Sequence, residues 1–240
     1  MDTHHWITLH RVRFPQPIAA LERSFERPDG PECWRFCPGH AVGADNLPTW
    51  VSDTWCGFGI HDTECAARSF FAAAEQRIAA CADGVEMWHA LAVPVQHRGA
   101  VNWRGSVETD GAIKSADADV QGPLAIVTTA GFEDPKDPTS LPRISRFVVK
   151  VSEAIAFRGA QPGNLRCAVF NGGFDGREGL TLTLWKSDDA MLRAAYHSGH
   201  HRNLMDESRD GSVFDRSSFS RLRIIDSRGS WDGDPLRDAA

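Results

Sequence analysis

Leu180-Thr-Leu-Thr-Leu-Trp185, then Ser187-Asp-Asp189, then Tyr196-His-Ser-Gly-His-His201 is where the architecture of this chain first becomes legible. The first run is apolar enough for a largely buried strand, and the acidic pair after Ser187 suits the positive end of a helix carrying the histidines. A second apolar run, Leu222-Arg-Ile-Ile225, and the ending Arg228-Gly-Ser-Trp-Asp-Gly233 complete a strand, helix, strand series.

The same series occurs earlier. Trp55-Cys-Gly-Phe-Gly-Ile60 reads as a strand, Asp62 or Thr63 as the cap of an alanine-rich helix over Cys65–Ala82, Gly84 as its stop, and Val85–Val95 as the next strand. Superposing 56–72 on 181–197 places Ile60 on Trp185, Asp62 on Ser187, Thr63 and Glu64 on Asp188 and Asp189, Arg68 on Arg193, and Phe71 on Tyr196. The final strands run into similar tails, Arg98-Gly-x3-Trp103-x-Gly105 and Arg228-Gly-x-Trp231-x-Gly233.

Working outward, Trp6–Phe14 alternates like a strand that Pro15 and Pro17 should stop, Ile18–Arg27 has helical spacing, and a strand is expected near Trp34. In the second half, Leu124–Thr129 and Leu165–Phe170 read as strands. Between them lies a helix over Arg143–Arg158, with apolar positions 144, 147, 148, 151, 155 and 157 and Ser140 as a candidate cap. Each half then reads strand, helix, strand, strand, helix, strand, the ferredoxin-like order. An open sheet face has to be buried. The expected fold is therefore α+β: two fused ferredoxin-like (βαββαβ) halves, about 1–105 and 123–240, joined by a polar linker over 106–122 and closed into one pseudo-symmetric α+β barrel domain spanning 1–240.

Composition narrows the function. With 240 residues and 42% apolar content the chain can bury a large core, and its net charge of -6 disfavours non-specific binding to nucleic acid or anionic lipid. No membrane span is expected, and Met1-Asp-Thr-His-His-Trp-Ile lacks a basic segment leading into an apolar one, so the expected location is cytoplasmic. The six cysteines are scattered and read as reduced thiols; Cys33 and Cys37 have no second pair at zinc-ligand spacing. Asn171-Gly-Gly-x-Asp-Gly176 lacks a phosphate-loop lysine, no Gly-x-Ser-x-Gly elbow occurs, and His197-x3-His201 lacks the glutamate of a metalloprotease helix.

Leu180–Trp185, Ala190–His201, Phe219-Ser-Arg-Leu-Arg-Ile-Ile225 and Arg228-Gly-Ser-Trp-Asp-Gly-x-Pro-Leu236, with Trp88-x2-Leu-x-Val-Pro-Val-x2-Arg-Gly99 in the first half, resemble the spheroidene monooxygenase family. The resemblance covers about half the chain. It implies a haem-dependent monooxygenase with haem b, O₂ or peroxide as oxidant, an electron donor and a small or extended apolar substrate. The broader class is dimeric, which leaves a homodimer open. The family's Gly, spacer, His pattern falls on Gly199, His200 and His201, departing from it at His200, where a proline is usual.

The resemblance thus implies His201 as the iron ligand, with His197 as a second candidate on the same helix face and Gly199 as the point where a flat macrocycle can approach the backbone. The alternative for this cluster is a solvated helix end whose histidines complement the dipole. Arg98 and Arg228, at strand ends, are candidates to face a propionate or polarise oxygen. His89, beside Trp88, and His40 are candidate distal acid–base groups. Each has a structural alternative, such as a carboxylate pairing for the arginines and a satisfied strand position for His89. Rival functions are a haem lyase of the aldoxime dehydratase type, a non-catalytic haem carrier or sensor, and a cofactor-free barrel.

Overall fold

The structure, a computed structural model, describes residues 3–19, 33–39, 51–80, 83–99, 113–116, 119–170, 179–196 and 213–236. These form β1 (Trp6–Ala19), β2 (Cys33–Pro38), β3 (Val51–His61), α1 (Glu64–Ala79), β4 (Glu86–Gly99), β5 (Leu124–Gly131), α2 (Leu141–Gly159), β6 (Asn164–Phe170), β7 (Gly179–Trp185), α3 (Asp188–Tyr196) and β8 (Arg216–Gly229). β1 does not stop at its prolines. Its pairing with β4 ends at Arg13↔Glu86 and its register against β3 breaks between Arg13 and Ile18, so Pro15 and Pro17 sit where the ladder needs no amide donor. Ile18 and Ala19 are thus strand, and the rest of the helix expected over Ile18–Arg27 lies outside the described residues.

All eight strands form one antiparallel sheet in the order β2-β3-β1-β4-β8-β5-β7-β6. Read outward from the β4·β8 seam, each side shows its fourth, first, third and second strand. The seam is self-complementary: Trp88 pairs with Gly229 at one end and Gly99 with Ser218 at the other, and each strand carries one bulged residue, Val95 or Ile225. Gly99 (φ 86°) and Gly229 (φ 84°) end the two strands, and a Cβ on either would strike the carbonyl of Ser217 or Met87. This explains the glycine in both tails. The edge strands meet at a bridge between Gly39 and Phe170, so the sheet is nearly closed.

Side chains alternate across a strand, and the inner set is apolar. Ile7, Leu9, Cys56, Phe58, Ile60, Trp88, Ala90, Ala125, Val127, Leu180, Leu182, Leu184, Leu222 and Ile224 fill the space the sheet encloses. Trp231 and Leu236, beyond β8, belong to that interior, as does Ile113. The stretch 106–122 is therefore not simply a linker. Ile113 is buried, the His5 amide donates to the Lys114 carbonyl while the Lys114 amide donates to His5 Nδ1, both at 3.0 Å, and Ala116 donates to the Pro94 carbonyl at 2.7 Å.

The caps correct the superposition of the halves by one residue. Thr63 Oγ1 accepts from the Ala66 amide at 3.2 Å and Ser187 Oγ from the Ala190 amide at 3.2 Å. Thr63 corresponds to Ser187, which puts Ile60 on Leu184, both inside, instead of on the outward Trp185. A one-residue slip flips every side chain to the other face. In α2, Ser140 makes no capping bond; Asp137 caps the preceding 3-10 turn, accepting from the Thr139 amide at 2.9 Å.

Candidate functional site

The helices cover the outer face of the sheet, and the two halves use that face differently. In the first half α1 buries Ala67, Phe70, Phe71, Ala74 and Ile78. Beneath it lie three histidines from three strands, His10 and His61 at 0% exposure and His89 at 2%. The Nδ1 atoms of His10 and His89 are 2.6 Å apart, so one donates and the other accepts; His61 Nε2 bonds Thr8 Oγ1 at 3.1 Å. His61 Nδ1 and His89 Nε2 are buried with no hydrogen-bond partner among the described residues. Burial pushes His61 down to about 4, against a smaller opposing effect of Asp62, and pushes His89 down to about 4, helped by Arg228. His10 is also held well below its usual value, by burial first and then by His89 and His61. The cluster is neutral at physiological pH. Among the described residues no three His, Cys, Asp or Glu side chains are placed to hold a metal.

Two of the expected site residues meet here. His89 and Arg228 are partners across the seam, and the Arg228 guanidinium lies 5.2 Å from the Phe71 ring centre. Arg98 is not with them. It pairs with Phe219 at the far end of β4, about 30 Å from His89 at the usual strand rise of ~3.3 Å per residue. His197, Gly199 and His201 lie outside the described residues, as do His40, His200 and Trp103.

The second half presents a different surface. The corrected superposition and the seam register put Thr128, Trp185 and Phe219 at the places of His10, His61 and His89, and Ala194 and Ala195 at the places of Phe70 and Phe71. Met191 and Ala190 of α3 pack on Leu124, Ile126 and Trp185, but the two places held by phenylalanines in α1 are alanines in α3, and the coverage by α2 is incomplete. Only Ile144 and Val148 of α2 are buried, whereas Phe147, Val151 and Ile155 on its apolar stripe and every β6 residue before Phe170 are half-exposed. Thr181 Oγ1 is buried with no partner among the described residues. At the α3 end, Asp188 holds Arg221 with one carboxylate oxygen and Arg223 with the other.

A third polar group closes one mouth of the sheet. Arg11, 4% exposed, donates to Glu86 Oε2 at 2.5 Å and Asp232 Oδ1 at 2.8 Å and lies 5.5 Å from the Trp231 ring centre. Burial is the largest single effect on Glu86 and works to raise its pKa, but the Gly233 amide, Arg11 and the Ser230 hydroxyl all donate to the carboxylate and together hold it below its usual value. Trp231 packs on Trp88 at 5.5 Å. The distinctive Arg228–Leu236 ending is thus a plug with a structural role. Neither the plug partners nor His10 and His61 stand out in sequence, because strand residues scattered one at a time carry no local pattern; outward parity in predicted strands is the signal that groups the histidines.

Thiol chemistry has little support here. Cys56 is raised, chiefly by burial, and Cys167 is raised to about 11 by burial despite the opposing charge of Arg158. No helix among the described residues is long and apolar enough to cross a membrane.

No family model matches the chain, and no curated protein matches it. Among solved structures, an aldoxime dehydratase in complex with butyraldoxime superposes over 99% of this chain and 87% of its own, with a TM-score of 0.60 and 11% identity. The shared α+β fold is what this likeness shows. A protein from Fusobacterium nucleatum, provisionally described as a monooxygenase, aligns over 98% of this chain and 100% of its own at 11% identity and a TM-score of 0.39. A cofactor-independent oxygenase from Streptomyces nogalater covers 47% of this chain and 99% of its own at 16% identity and a TM-score of 0.30. The last two superpositions are too loose to carry weight.

Proposed function

We propose that the chain is a haem-dependent monooxygenase acting on an apolar substrate, with its ligand site on the outer face of the second half, beneath α2 and α3. We further infer that the two sheet halves are fused ferredoxin-like units of one domain, the self-complementary seam being the support. One observation carries the choice of site. Where α1 sets Phe70 and Phe71 against the sheet, α3 sets Ala194 and Ala195, and the strands below carry an unpartnered Thr181 hydroxyl.

The described residues fit a flat apolar group: Ala194 and Ala195 above, with Met191 as an apolar wall, and Ile126, Thr128, Thr181 and Phe219 below. They supply no cluster of metal ligands, but a haem needs only one axial donor. His201, closely following α3 in the chain, is the residue proposed to hold the iron, with His197 second and Gly199 admitting the macrocycle edge. Haem iron supplies redox or Lewis-acid chemistry that no side chain offers. The protein's part is to bind the apolar body, exclude water and present the Thr128 and Thr181 hydroxyls to a polar atom of the substrate. His89 and Arg228 do not face this cleft; their proposed role is to support the first half.

The likeness to an aldoxime dehydratase makes lyase chemistry the second reading, on fold alone. Both are tested on full-length protein expressed with haem supply. A Soret band that is lost or strongly shifted in His201→Ala is expected. A band indifferent to that change reassigns the ligand, and no band at all removes haem from the function. Oxygen uptake dependent on an apolar substrate and a reductant supports the oxygenase, whereas anaerobic conversion of butyraldoxime to the nitrile selects the lyase.

A further inference from the structure

Across the seam, Arg221 and Arg223 of β8 occupy the places that Leu91 and Val93 hold in β4. Leu91 and Val93 are buried and pack with Ala67 and Phe71 under α1. The fold is thus satisfied by apolar residues at these positions, and stability gives no reason to install two guanidinium groups that are expensive to desolvate. Their charges are not balanced either. Asp188 is shared between them. Arg223 has a second acceptor, the Gly122 carbonyl at 3.1 Å. The Arg221 Nε is buried with no partner among the described residues. Gln96, the seam partner of Arg221, stands between it and Arg98 and can serve only one of them: its oxygen either accepts from Arg221 Nη1 at 3.5 Å or, with the amide turned over, from Arg98 Nε and a terminal nitrogen at 3.0 Å each. Two arginines therefore face one corner of the α3 cleft with a surplus of positive charge, beside the apolar Ile126 and Phe219. Planar forks of this kind match a carboxylate.

We propose that Arg221 and Arg98 seat a carboxylate carried by the ligand bound beneath α3, an inference that rests on the cleft described above. The carboxylate belongs either to a haem propionate or to an acidic substrate with a long apolar body. The test titrates full-length protein with hemin and hemin dimethyl ester, followed at the Soret band. A second titration uses cis-parinaric acid and its methyl ester, followed by fluorescence. Arg221→Leu borrows the residue the fold accepts at the corresponding place in β4, and Arg98→Leu changes an exposed side chain, so one variant remains informative if the other misfolds.

A loss of about tenfold in affinity for hemin but not for its diester, in either variant, establishes the propionate form, tenfold being what one charge-assisted pair contributes. The same selective loss for parinaric acid over its ester establishes the substrate form. Wild-type protein that binds acid and ester alike, with both variants unchanged, overturns the seat and leaves the cleft standing. Wild-type protein that takes neither porphyrin nor fatty acid removes the cleft and the seat with it.

Discussion

His10, His61 and His89 stand on the outer face of one half of the sheet, under Phe71 of α1, where Thr128, Trp185 and Phe219 stand on the other, with Ala195 of α3 in the place of Phe71. The backbone scheme is shared, down to the bulge in each seam strand, so the difference lies in side-chain volume and ionisation. The first half joins large aromatics on the helix to small, buried imidazoles on the strands and closes completely. The second sets Ala194 and Ala195, with Met191 beside them, above a floor of Trp185 and Phe219, and its α2 and β6 side stays half-exposed. On the proposed reading, one side of the seam serves as scaffold and the other as site.

The sharpest way to break this comparison exchanges the helix residues. Phe71→Ala should cost about 3–5 kcal/mol, the range for emptying a buried aromatic site, because α1 has nothing else to fill the volume. The converse change, Ala195→Phe, should cost less than about 1 kcal/mol while blocking ligand binding, since the added ring enters the cleft. Urea denaturation of both variants reads the asymmetry. An Ala195→Phe loss comparable with that of Phe71→Ala would mean that the second half is packed as tightly as the first.

The next effect is a pH dependence carried by the buried histidines of the first half. An unfolded histidine titrates near ~6.5, and His61 and His89 titrate at about 4 in the folded protein. Between those values the unfolded chain binds more protons. Stability is therefore complete above pH ~6.5 and falls as the pH drops towards 4, by at most about 3 kcal/mol for one such group. His89→Phe, which copies Phe219, should flatten the profile measured by denaturant midpoints between pH 7 and 4.5. An unaltered slope would assign the acid sensitivity elsewhere.

Much of the frame could be read from sequence because alternation, glycine stops and caps are local signals. Trp55–Ile60, Leu124–Thr129, Leu165–Phe170 and Leu180–Trp185 fall within β3, β5, β6 and β7, and Thr63 is the cap of α1. Parity was not local. Setting Thr63 against Asp188 instead of Ser187 matched one acidic helix start to another and turned Ile60 outward. The 106–122 stretch reads as a linker because, among its described residues, Ile113 alone enters the enclosed core, with Ala116 and Val120 only partly buried on the outer face. His10, His61 and His89 come together only after β1, β3 and β4 pair in register, and Arg11, Glu86 and Asp232 likewise come from three places in the chain.

A smaller effect separates Asp188 from Glu64 at the two helix starts. Glu64 accepts from Arg68 of its own helix at 2.7 Å on an exposed face, and losing an exposed pair of this kind should cost no more than about 0.5 kcal/mol in Glu64→Ala. Asp188→Ala leaves Arg221 and Arg223 side by side without their shared partner and should cost about 2 kcal/mol, less than breaking a fully buried pair because all three side chains keep some solvent. That loss should shrink in an Arg221→Leu background.

The smallest effect tests the correspondence of the halves itself. Thr63→Ala and Ser187→Ala each remove one side-chain acceptor from a helix amide and should cost about 1 kcal/mol apiece, as N-cap losses do. Equal losses fix Thr63 and Ser187 as corresponding residues and with them the inward or outward sense of every neighbour. If instead Ser187→Ala were silent, and Asp188→Ala kept its cost after Arg221 and Arg223 were both changed to leucine, Asp188 would be the cap. The halves would then align one residue further along, Ile60 would fall on Trp185, and the contrast between a closed face and an open one would have to be drawn from different residues.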